Sequence, residues 1–84
     1  MTDKEHGMLF KTFVNWKVWS FDILKNLNKE NIEEAKTNLK ILENFHKENW
    51  EKYRYDHNLS GELIDLSMGI SKIKTKIKEL EENQ

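Results

Sequence analysis

Glu43-Asn44-Phe45-His46 is a Glu-x-x-His, a spacing that brings a carboxylate and an imidazole to one face of a helix. Di-iron bundles need that pair twice, with two more inward carboxylates, and no second Glu-x-x-His occurs in this chain. At helical angle His46 falls inside the apolar stripe of its segment and Glu43 at its edge, the position of a core-edge histidine. His6 and His57 lie near segment ends, with no spacing that converges on a ligand set, and cysteine is absent. No metal and no other cofactor is therefore expected. General acid/base chemistry needs a sheltered carboxyl with a shifted pKa, but the adjacent carboxylates Glu33-Glu34 and Glu81-Glu82 sit on polar faces. Neither a Gly-rich phosphate loop, nor a Gly-x-Ser-x-Gly, nor a Ser/His/Asp triad is present. The expectation is a protein that is not an enzyme, with no catalytic residues.

Two stretches could touch nucleic acid. Trp50-Glu51-Lys52-Tyr53-Arg54-Tyr55 interleaves basic and aromatic side chains, and Lys72, Lys74, Lys76 and Lys78 form a local basic cluster. Glu51, Asp56, Glu79, Glu81 and Glu82 flank them, and alternate positions on a helix scatter over its faces. Overall the 14 basic residues are balanced by 15 acidic ones, net charge -1, which removes the usual electrostatic footprint of a nucleic-acid binder.

These side chains must be positioned by helices. The 84 residues contain no proline and only three glycines, so interior helix breakers are nearly absent. A single helical domain, residues 1–84, is expected, with helices at about 8–28, 32–57 and 61–81. In the first, Leu9, Phe13, Trp16, Ile23 and Leu27 form one stripe. Phe10, Val14, Phe21 and Leu24 form a second beside it, interrupted by Lys17. So apolar a helix must be covered by two neighbours or by an external partner. Asn26, Asn28 and Asn31 mark a turn, with Asn31 and Glu34 spaced as an N-cap pair. No Gly or Pro enforces the break, so one long helix through residue 57 stays open. The second segment has a narrow stripe, Ile32, Ala35, Leu39, Leu42, His46, Trp50 and Tyr53, with Ile41 and Phe45 off it. Asn58-Leu59-Ser60-Gly61 reads as the second turn, with Ser60 as N-cap and Leu59 and Ile64 as a hydrophobic staple.

The third segment is the most regular. Leu59, Leu63, Leu66, Ile70, Ile73, Ile77 and Leu80 follow at spacings 4, 3, 4, 3, 4, 3, a heptad seam. Either it packs against the rest of the chain, or Leu63, Leu66, Ile70, Ile73, Ile77 and Leu80 are an oligomerisation surface. The fold expectation is all-α: a small three-helix bundle, or a helical hairpin that completes its core by dimerising through a coiled-coil-like C-terminal helix.

A chain of this size buries roughly 60 % of its unfolded surface, and the first helix offers more apolar side chains than that interior holds. Phe10, Val14, Trp19, Phe21, Ile41 and Phe45 are therefore the candidate partner-binding residues. The partner is another protein, foreign or a second copy in a homodimer. The Lys- and Asn-rich composition, 13 Lys against one Arg and nine Asn, is that of an AT-rich genome, a low-GC bacterium or its phage. The sharpest expectation is thus a small phage or mobile-element inhibitor that occludes a host or defence protein. A structural assembly oligomer and a nucleic-acid-binding regulator are the alternatives. No apolar run reaches the ~18 residues of a membrane span, and Met1-Thr2-Asp3-Lys4-Glu5-His6 lacks the basic-then-apolar pattern of a signal peptide. The expected location is the cytoplasm, with no membrane partner.

Overall fold

The chain forms an all-α three-helix bundle, seen in a computed structural model that describes residues 1–82. Residues 83 and 84 of the expected 1–84 domain lie outside the described residues. Helix α1 spans Asp3–Asn26, α2 spans Ile32–Tyr53 and α3 spans His57–Glu82, with a 3₁₀ turn at Lys29–Asn31 before α2. The bundle is a rod of 50 × 18 × 16 Å.

Only the start of α2 falls where the sequence places it: α1 ends two residues early and α3 one residue late, while the start of α1, the end of α2 and the start of α3 lie four or five residues from expectation, for local reasons. Helix α1 begins at residue 3, not 8, because Thr2 caps it: the Thr2 hydroxyl accepts from the Glu5 amide at 3.1 Å, and Asp3 and Glu5 sit in the positive first turn. The break after α1 is real, so the single long helix does not form. An asparagine web enforces it in place of Gly or Pro. Asn28 Oδ1 accepts from the Glu30 amide, Asn31 Oδ1 accepts from the Asn28 amide, and Asn31 Nδ2 donates to the Asn26 carbonyl. Asn28 is thus the cap, and Asn31 caps nothing in α2 with its own side chain. The second turn falls at residues 54–56, ahead of the expected 58–61. Asp56, not Ser60, starts α3: its Oδ1 accepts from the Asn58 and Leu59 amides at 3.1 and 3.0 Å. A carboxylate serving two orphan amides is the stronger cap, and this start places Leu59 inside the helix on its buried seam. There is accordingly no staple. Leu59 is fully buried and Ile64 points outward, 47 % exposed.

Helix α3 is the hub. It lies along both α1 and α2, which scarcely meet each other. Its seam, Leu59, Leu63, Leu66, Ile70, Ile73 and Ile77, is buried against Phe13 of α1 and Ala35 and Leu42 of α2. Burying each such side chain stabilises the fold by roughly 1.5–3 kcal/mol. At Gly69 α3 lies close against α1: an added Cβ would lie 2.5 Å from the Ser20 hydroxyl oxygen and 3.2 Å from its Cβ. Ser20 itself is fully buried and donates to the Lys17 carbonyl at 2.7 Å. The wider gap between α1 and α2 is filled by rings. Phe45 stacks on Trp16 at 3.9 Å, and Phe13 meets Phe45 and Tyr53 edge-on at 5.6 and 5.7 Å.

Candidate functional site

Because α3 and the aromatic wedge take up only the inner side of α1, its outer side is left over. At about 100° per residue, Phe10, Val14, Val18 and Phe21 share an arc of roughly 80°, and Phe10, Val18 and Phe21 are 38 %, 48 % and 39 % exposed. Val14, between them on the arc, is half-buried. Lys17, which breaks the stripe in sequence, does not break it in space. Its ammonium turns into the α1/α3 seam and donates to Glu62 at 2.6 Å, with Asp65 at 3.8 Å. The result is an uninterrupted apolar ridge along the middle of α1. Phe21 also reaches back to the inner contact, since its ring edge would lie 3.5 Å from a Cβ on Gly69.

The six side chains expected at a partner site are not brought together. Phe10, Val14 and Phe21 lie on the outer ridge. Trp19 and Phe45 belong to the aromatic wedge: Trp19 packs edge-on to Trp16 at 5.4 Å, Phe45 stacks on the same ring, and both are half-buried. Ile41 is exposed on α2, beyond that wedge. Val18 belongs to the ridge and was absent from the expected set. Its four-residue spacing from Val14 was the available signal.

The heptad residues of α3 are equally redistributed. Leu63, Leu66, Ile70, Ile73 and Ile77 face the chain's own α1 and α2, and Leu80 is half-buried against the same core. A coiled coil through these positions would require the bundle to open. The outer face of α3 carries Ile64 and Met68 instead, 47 % and 51 % exposed.

Several titratable groups act as caps or ion pairs. His6 Nε2 lies 2.9 Å from Asp56 Oδ2. The Leu59 amide first, then His6 and the Asn58 amide, hold the Asp56 carboxyl below its ordinary pKa. Glu43 of the Glu-x-x-His meets Lys74 at 3.2 Å. His46 stacks on Trp50, ring centroids 5.8 Å apart, and burial pushes its imidazole pKa below 6.5 against a smaller opposing hydrogen bond with the Leu63 backbone. Glu43 and His46 line the same α2/α3 groove with Ser67 and Ser71. Among the described residues no three His, Cys, Asp or Glu side chains converge on a point that could hold a metal ion.

The basic cluster disperses around α3. Lys74 pairs with Glu43, Lys76 donates to the Leu24 carbonyl at the end of α1 at 3.2 Å, and Lys72 and Lys78 are exposed. Arg54 packs over Tyr55 at 5.0 Å from the ring centre, with Tyr55 87 % exposed. No helix among the described residues is long and apolar enough to cross a membrane. Compared with known proteins, the chain matches no family model, no curated protein and no solved structure.

Proposed function

We propose that this chain is a non-catalytic protein-binding module whose docking surface is the outer ridge of α1. One observation carries the reading: Phe10, Val14, Val18 and Phe21 remain on the surface as one ridge although the core beneath them is already complete. Contiguous apolar surface that the fold does not use is characteristic of interaction sites, and aromatic anchors dominate the energetics of such sites. Lys17 supports the reading, since turning it into Glu62 leaves the ridge free of charge. Asp56, the Lys17–Glu62 pair and the Lys74–Glu43 pair support it too, because they act in helix capping or helix pairing.

The sharpest form of the proposal is a small cytoplasmic inhibitor from a phage or mobile element that covers a functional surface of a host or defence protein. Only the Lys- and Asn-rich composition supports that refinement. The basic cluster gives weaker support to nucleic-acid binding, since two of its four lysines are engaged within the chain.

The test is affinity capture from bacterial lysate with the C-terminally tagged chain, wild type against Phe10→Asp/Val18→Asp. Both positions are exposed, so the double variant should keep its far-ultraviolet circular dichroism and its unfolding midpoint. Proteins held by the wild type should be lost by tenfold or more, about 1.4 kcal/mol of binding. Undiminished capture by the folded variant removes the ridge as the site.

A further inference from the structure

We infer that the outer ridge of α1 packs against the same ridge of a second copy of this chain, antiparallel, about a two-fold axis at the level of residues 15 and 16. The inference rests on the reading of that ridge as a docking surface and names its occupant. A two-fold interface must be complementary to itself, and the ridge is. Its order is Phe10, Val14, Val18, Phe21, so the same residue types are met from either end, at intervals of 4, 4 and 3 or 3, 4 and 4. Antiparallel pairing about that level sets Val14 against Val18 of the second copy and Phe10 against Phe21 of the second copy.

Charge selects the direction. Lys11 follows Phe10 and Asp22 follows Phe21, and both lie on the same flank of the ridge, just beyond Val18. In an antiparallel two-fold pair, equal flanks meet. Lys11 of each copy then falls beside Asp22 of the other, twice over. A parallel two-fold pair would instead bring opposite flanks together and forfeit both of these ion pairs. Both side chains are exposed, and neither is held in an ion pair within the described residues. With a net charge of -1, two copies approach without bulk repulsion. The ridge is one helix wide, so the interface sits below the ~1,200–2,000 Å² of stable complexes, and the dimer is a reversible one.

Sedimentation over a concentration series tests the state, and cross-linking tests the geometry. The wild type should shift from one chain to two as concentration rises. Phe10→Asp/Val18→Asp should stay at one chain. Lys11→Glu should weaken dimerisation several-fold, and Lys11→Glu/Asp22→Lys should restore it. Since the chain has no cysteine, introduced thiols report single positions. A mixture of Val14→Cys and Val18→Cys chains should oxidise mainly to the mixed disulfide. A Val14→Cys chain that links chiefly to itself means parallel pairing and overturns the geometry. A mass of one chain at every concentration up to about 1 mM overturns the dimer. If ridge-dependent capture of another protein persists in that case, the docking reading stands without self-pairing. If it is also lost, both fall.

Discussion

Helices α1 and α3 are of similar length, and the more aromatic of the two is the less buried. Helix α1 carries three Phe and two Trp, yet only Phe13 and Ser20 are buried within it. Helix α3 carries none of either and buries Leu59, Leu63, Leu66, Gly69, Ile70, Ile73 and Ile77. The difference teaches that apolar phase, not apolar amount, sets a helix's place in a bundle. A seam at alternating 4 and 3 stays in line with two neighbours over seven turns, so α3 becomes the hub. The apolar residues of α1 spread around its circumference. Two neighbours cover one side of such a helix, and the remainder stays in water.

Substitutions along each helix test this contrast. The largest effect belongs to the seam. Ile73→Ala is expected to cost about 2–5 kcal/mol of stability by urea unfolding, the range for deleting a buried aliphatic side chain. Val18→Ala on the ridge should stay within about 0.5 kcal/mol of the wild type. Equal losses at the two positions would mean that the ridge belongs to the stability core and is not left over from it.

Glycines give a contrast of sign. Gly69→Ala should destabilise, since the new methyl meets buried Ser20 and overpacking costs about 1–3 kcal/mol, more than the helix-propensity gain of about 1 kcal/mol. Ser20→Gly should rescue it in the double variant. Gly7→Ala and Gly61→Ala meet nothing within 4 Å and have no positive φ, so they should stabilise by up to about 1 kcal/mol. A neutral Gly69→Ala would show that α1 and α3 can slide apart there without loss.

The smallest effects are pH-linked. His46 has its pKa lowered by burial, so the unfolded chain binds its proton more readily. Stability should be full above pH 6.5 and should decline as pH falls from there toward the folded value. His46→Gln should flatten that step in a thermal-melt series. Asp56 also has a lowered pKa, chiefly through the Leu59 amide. Its contribution is present above 3.8, the ordinary value, and is lost as pH falls through the folded one. Asp56→Asn should remove this acid step, and a wild-type melting temperature that does not change anywhere below pH 6.5 would contradict both assignments.

Much of the fold was legible because helical pattern is a local property. The seam from Leu59 to Leu80 and the stripe from Ile32 to Tyr53 each identify a helix and its inner face. The helix starts are hard to place from sequence where a polar side chain, with no breaker beside it, sets the end. Thr2-Asp3-Lys4-Glu5 spells a capping sequence, and Leu59 already stood in phase with the seam, which argued for a start before it. The asparagine web at residues 26–31 could be sensed as a turn, but which asparagine caps depends on the backbone path. The candidate site was legible only in halves. Phe10, Val14 and Phe21 could be grouped by angle. Separating them from Trp19, Ile41 and Phe45 requires knowing which side of α1 faces α2.

The sequence by itself determined the all-α class, the three amphipathic segments and the excess of apolar side chains on the first of them. These follow from 3.6-residue periodicity and the near absence of breakers, which act within one helix. The tertiary structure alone decided that the heptad seam closes inside the chain, that Gly69 lets α3 approach Ser20, that Lys17 turns into Glu62, and that Phe45 fills the gap beside Trp16. Each of these depends on where a second helix lies. That placement comes from packing whole side-chain surfaces against one another, and no single segment encodes it.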